Sequence, residues 1–141
     1  MPIHIHPNRP TTTAILALAT ILTGLIWRMV PLHLPFFLWK YGGSALWAIA
    51  VYWMIAFLLP NARPITLSTL ACLFALAVEL SRLIPSPTFE TFRETLAGRL
   101  ILGSIFSPRN ILAYWLAIAA AASIDHLKEP GRRNRPTQPQ S

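Results

Sequence analysis

Four stretches of the chain are apolar almost without interruption: residues 13–30, 44–59, 65–84 and 111–127. A bilayer core about 30 Å thick is crossed by roughly 20 mostly apolar helical residues, and each run reaches or approaches that length. Proline stands at the edges of these runs and never inside them. Pro60 stops the second, Pro64 and Pro85 bracket the third, and Pro108 precedes the fourth. Helices that must satisfy their own backbone in lipid require that placement. Period-two alternation is absent, which argues against a membrane β-barrel. The pattern predicts an all-α fold, a polytopic transmembrane helix bundle.

Residues 92–106, FRETLAGRLILGSIF, are the ambiguous stretch, because the run is short and Arg99 sits in its middle. It reads as a short crossing, with a re-entrant or interfacial helix as the alternative. The excess of Lys and Arg on the cytoplasmic side of membrane proteins discriminates between the two. With four crossings, Arg9, Arg63, Lys128, Arg132, Arg133 and Arg135 share one side, and Arg28, Lys40, Arg82, Arg93, Arg99 and Arg109 share the other. That division carries no bias. With five crossings, only Arg9, Arg63 and Arg109 oppose Arg28, Lys40, Arg82, Arg93, Lys128, Arg132, Arg133 and Arg135. The bias predicts five helices with a short fourth, the N-terminus outside and the C-terminus in the cytosol. Under either count, the loops after the first and third runs lie on one membrane face. The first run lacks a small-residue cleavage site and reads as a retained helix. Residues 1–12 and 128–141 are polar and proline-bearing, and are expected to be disordered tails around a helical domain at 13–127.

Composition supports the membrane reading. Of 141 residues, 54% are hydrophobic and only 12% are charged, about half the charged share of a soluble domain. The single cysteine, Cys72, excludes a disulfide scaffold. The net charge of +7 is spread too thinly for a nucleic-acid interface, and a basic tail beside anionic lipid is the simpler explanation. Motifs for hydrolases, phosphate loops and zinc proteases are missing, so an enzyme is the less favoured reading and neither a cofactor nor a metal is expected. His4 and His6 on the tail are at most a weak metal site, and His126 beside Asp125 reads as a helix-end cation.

Ionisable residues inside a membrane are costly and mark function by default. In the third run, Ser68, Cys72, Ala75, Glu79 and Arg82 follow steps of four and three, which places them on one helical stripe facing other helices. Glu79 either pairs with an arginine as structural glue or belongs to a site for a charged head group or a proton. Arg93 is suited to clamp a carboxylate or phosphate, and Arg99 needs a partner, water or a snorkelling path. Arg28, His33, Lys40 and Tyr41 arrive on the same face, with Trp27 and Trp39 as interfacial anchors and Gly42–Gly43 loosening the chain before the second helix. Ala113, Ala117 and Ala121 mark a packing seam.

The series Gly24 to Arg28, Lys40-Tyr41-Gly42, Leu46-Trp47-Ala48, Val78-Glu79, Ser81, Arg93-Glu94-Thr95, Gly98, Leu102-Gly103, Phe106 and Ala113-Tyr114 resembles a small bacterial membrane family. It is the domain-of-unknown-function group twenty-eight-zero-nine, which also circulates under a "ribosomal maturation" label that the spans contradict. The acid on the third helix, the arginine loop after it and the glycine-bearing segment are also remotely similar to the VanZ group, linked to glycopeptide tolerance. That similarity implies a crossing at the glycine-bearing segment. The resemblance implies departures at Arg82, where glutamine is usual, at Ser44 and Asn110, where acids are usual, at Glu90, where aspartate is usual, and at Ala117, where glycine is usual. The losses of acid make the site more basic and suit an anionic ligand.

Together these readings predict a bacterial inner-membrane, multi-pass protein. It binds an anionic lipid or lipid-linked phosphate through Arg28, Lys40, Arg82, Arg93 and Arg99, with Glu79 orienting the arginines. A small proton-coupled transporter titrating Glu79, and a structural subunit of a membrane complex, are the alternatives. Lipids are the expected partners, with a second copy or another membrane protein possible and nucleic acid excluded.

Overall fold

The computed structural model describes residues 9–102 and 107–128. The expectations for His4, His6 and Gly103, and for residues 1–8 and 129–141 of the tails, lie outside the described residues. All regular structure within them is helical: α1 (Arg9–Met29), α2 (Phe36–Leu58), α3 (Pro64–Ser81), α4 (Pro87–Glu94), α5 (Leu96–Ile101) and α6 (Pro108–Leu127). Four of these, α1, α2, α3 and α6, are long and apolar enough to cross a membrane. Their 21, 23, 18 and 20 residues span roughly 27 to 35 Å at 1.5 Å per residue, the thickness of a bilayer core. This is the organisation of a multi-pass membrane protein.

Helix ends follow local chemistry. Pro64, Pro87 and Pro108 each stand in a first turn, where the missing N–H costs nothing. α1 begins at Arg9, earlier than the apolar run, and Thr13 returns its hydroxyl to the carbonyls of Arg9 and Pro10. α2 begins at Phe36, so Gly42 and Gly43 lie inside a helix rather than before it. Gly42 is there for space: a Cβ on it would stand 2.6 Å from the Trp27 ring. The indole of α1 lies across the backbone of α2 and donates from Nε1 to the Trp39 carbonyl at 3.2 Å.

The long helices alternate in direction. Arg9, which starts α1, donates to the carbonyls of Pro60 and Ala62 between α2 and α3, and to Asp125 near the end of α6. Glu79, near the end of α3, accepts from the backbone N–H of Ser107, which precedes α6. The chain therefore leaves α3 and enters α6 at the same end of the bundle. Among the described residues the candidate crossings number four, and the expected fifth is not among them. Within the described part of that stretch, residues 92–102, the chain divides at Thr95, which closes α4 and caps α5 by accepting from Gly98 N at 3.0 Å. α5 has six residues, about 9 Å of helix, too little to cross. Gly98 is required for this break, since a Cβ on it would lie 1.8 Å from the Phe92 carbonyl oxygen. An even number of crossings predicts that reporters fused ahead of Arg9 and beyond Lys128 lie in the same compartment. Opposite compartments, read by cysteine accessibility or reporter activity, would restore the fifth crossing.

α2 is the central helix and packs against α1, α3 and α6. The core is built largely from small residues, including Ala48, Ala56, Ala71, Ala75, Ala117 and Ala121, which let backbones approach where lipid removes the usual hydrophobic drive between helices. Ala75 and Glu79 of the anticipated α3 stripe are buried, as are Ala117 and Ala121 of the α6 seam. The outer faces are apolar: Ile15, Leu18, Leu22 and Ile26 along α1, and Leu112 and Leu116 on α6, are each more than half exposed. Such a surface suits acyl chains and would be a liability in water.

Candidate functional site

The chemistry concentrates at the end of the bundle where α1 stops, α2 starts, α3 stops and α6 starts. Glu79 is fully buried, at 0% exposure, and both of its oxygens are engaged. Oε1 accepts from Ser107 N at 2.7 Å. Oε2 accepts from Arg82 Nη1 at 2.5 Å and from the Tyr114 hydroxyl at 3.3 Å. Arg82 sits three residues on from Glu79, so one helical turn presents both groups to α6. Its guanidinium also donates from Nε to the Leu102 carbonyl and from Nη2 to the Tyr114 hydroxyl. The pair thus ties the end of α3 to the end of α5 and to the first turns of α6. Both side chains are nearly dry, which makes removal of either partner costly.

Above this pair opens a cleft of about 260 Å³. Its basic side chains are Arg28 from α1, Lys40 from α2, Arg82 from the end of α3 and Arg99 from α5. Among the described residues no carboxylate lines it. Aromatic rings position two of the cations: Arg28 lies 5.8 Å over Trp39, and Lys40 lies 5.5 Å over Tyr41 and 6.0 Å over Phe36. Among the described residues, Arg28, Lys40 and Arg99 have no acidic partner. Four positive charges with one buried counter-ion beneath them form a field suited to an anion.

Four of the six anticipated site residues therefore meet in one cleft. Glu79 does not line it, and lies behind Arg82 and Tyr114. Arg93 is also elsewhere: it turns back to donate from Nη2 to the Ser81 carbonyl at 2.7 Å, closing the end of α3. Gly43, Ser44, Trp47, Asn110 and Tyr114 complete the lining, among others. Asn110 is 5% exposed, and its Oδ1 finds no hydrogen-bond partner among the described residues. A buried amide oxygen in that condition calls for a donor. Tyr114 and Asn110 were named through the family resemblance, but a five-crossing path puts the start of α6 on the far side from Glu79, so their meeting with it was not foreseen.

A second polar cluster at the opposite end was also missed. Asp125 Oδ2 accepts from Tyr52 hydroxyl at 2.7 Å and from Arg9 Nη2 at 3.1 Å. His126 is exposed and takes no part in it. The cluster joins α1, α2 and α6 and closes the bundle. Among the described residues, no group of three or more His, Cys, Asp or Glu side chains is arranged to hold a metal ion.

The model of the family described as "Protein of unknown function (DUF2809)" matches residues 33–118, which includes α2, α3, both short helices and the first half of α6. No solved structure matches the chain.

Proposed function

We propose, for a chain that belongs to the DUF2809 family, the binding of an anionic head group, a lipid phosphate or a lipid-linked phosphate, in the basic cleft. The observation that carries this reading is the convergence of Arg28, Lys40, Arg82 and Arg99 on a cleft without a carboxylate among the described residues. Arg28, Lys40 and Arg99 supply the contacts, and Arg82, held by Glu79 and Tyr114, supplies a fixed positive floor. The unpartnered Asn110 oxygen favours a head group that also carries a hydroxyl or N–H donor. Trp27 and Trp39 set the cleft at the depth of the membrane interface, where phosphates lie. The protein would act as a multi-pass protein of the bacterial inner membrane, with four crossings and with α4 and α5 folded against one face. Glu79 is enclosed and fully engaged by internal donors, which favours binding over proton transport.

The test is retention of phosphatidic acid by protein purified in phosphatidylcholine nanodiscs, read by native mass spectrometry. Each basic residue near an anionic surface contributes on the order of 1 kcal/mol. Replacing Arg28, Lys40 and Arg99 together with glutamine therefore weakens binding about a hundredfold and flattens its salt dependence. Retention equal to the parent at every salt concentration rejects the site.

A further inference from the structure

Beside the basic cleft lies a second cavity, a groove of about 420 Å³ between α1, α2 and α5. Its wall is almost entirely apolar, and Arg28 is its one charged residue. The two spaces adjoin, because Arg28, Gly43, Trp47, Leu100 and Ile101 line both. Along α1 the groove extends from Arg28 to Thr20, and along α2 from Gly43 to Met54. At 1.5 Å per residue these are depths of roughly 12 and 16 Å. Half of a bilayer core about 30 Å thick is about 15 Å, so the groove runs from the head-group level to about the midplane. α5 covers both compartments, with Arg99 on the cleft and Ala97 on the groove.

From this adjacency, depth and polarity we infer that the groove holds one hydrocarbon chain of the same molecule whose anionic head occupies the cleft. The inference rests on the head-group reading and specifies its ligand class: a membrane amphiphile with a phosphate-type head and at least one chain lying between α1 and α2. Water-soluble phosphates satisfy the cleft alone and leave the groove unfilled. α5 forms the third wall of the groove, through Ala97, Leu100 and Ile101. It is short, and Thr95 and Gly98 hold it at its base.

The experiment uses dodecyl phosphate with a photoactivatable diazirine near the chain end, in phosphatidylcholine nanodiscs containing the full protein. Illumination and peptide mass spectrometry are expected to place adducts on Ile21, Val51 and Met54 in the groove. The outward-facing Leu18, Leu73 and Leu116 serve as controls. Gly24→Leu fills the groove from α1, where even a Cβ already reaches 3.8 Å from that of Leu46, and Ala97→Trp fills it from α5. Each should lower groove labelling at least fivefold while leaving inorganic phosphate competition at the cleft unchanged. Equal labelling of groove and outward-facing residues overturns the chain site. If labelling is also indifferent to the Arg28, Lys40 and Arg99 glutamine variant, the head-group reading falls with it. If that variant still abolishes retention, only the groove assignment fails.

Discussion

Glu79→Ala lowers the thermal unfolding midpoint by on the order of 10 °C, the shift that corresponds to a loss of about 3–5 kcal/mol in a chain of this size. The substitution strands the guanidinium of Arg82, whose side chain is only 6% exposed, and leaves Ser107 N–H and Tyr114 hydroxyl without their carboxylate acceptor. The Leu102 carbonyl and Tyr114 hydroxyl remain to Arg82, but neither replaces the negative charge of the carboxylate in a dry interior. The double variant Glu79→Gln, Arg82→Gln removes both charges while keeping hydrogen-bonding groups in place, and should recover at least half of the loss. Circular dichroism of the detergent-solubilised protein measures both. A Glu79→Ala midpoint within 2 °C of the parent, allowing for the usual spread of such shifts, would mean that the pair does not hold α3 to α6. The double variant also separates structure from binding: it takes one cation from the floor of the cleft but leaves Arg28, Lys40 and Arg99 in place.

Asp125→Ala is expected to cost about 2–4 kcal/mol. The carboxylate is buried and draws together Tyr52 from the C-terminal third of α2 and Arg9 from the first turn of α1. The loss is smaller than at Glu79, because the Arg9 side chain is 21% exposed and can turn to water. A double-mutant cycle with Arg9→Gln and Asp125→Asn should give a coupling of at least 1 kcal/mol, as expected for residues in one network. Simple additivity would show that this contact does not close the bundle. The cycle also bears on topology, since only an even number of crossings brings the first turn of α1 and the last turn of α6 to the same face.

The site was partly legible. Arg28, Lys40 and Arg82 could be assigned to one membrane face because loop order in a helical bundle settles which loops share a side, and all three line the cleft, where Arg99, read as lying within a crossing, joins them. Arg93 could not be distinguished from them by spacing. Its position on α4 suits a ligand contact as well as it suits the Ser81 carbonyl that it binds. Asn110, marked by the family resemblance as a lost acid, shows only in the fold that it lines the cleft with an oxygen left unpartnered among the described residues.

Hydrophobic runs bounded by proline determined the four long helices, because local length and polarity are enough to decide what can be buried in lipid. The acid–arginine spacing on α3 determined that Glu79 and Arg82 would meet, since one helical turn makes them neighbours whatever else the chain does. The path of residues 92–106 was decided elsewhere. Charge bias favoured a crossing; the described residues instead set Gly98 against the Phe92 carbonyl and bond Ser107 to Glu79 at the end of α3. That arrangement brings Tyr114 and Asn110 to the cleft and Arg9 to Asp125. Contacts between distant segments depend on the direction in which each helix runs, and only the packed tertiary structure holds that information.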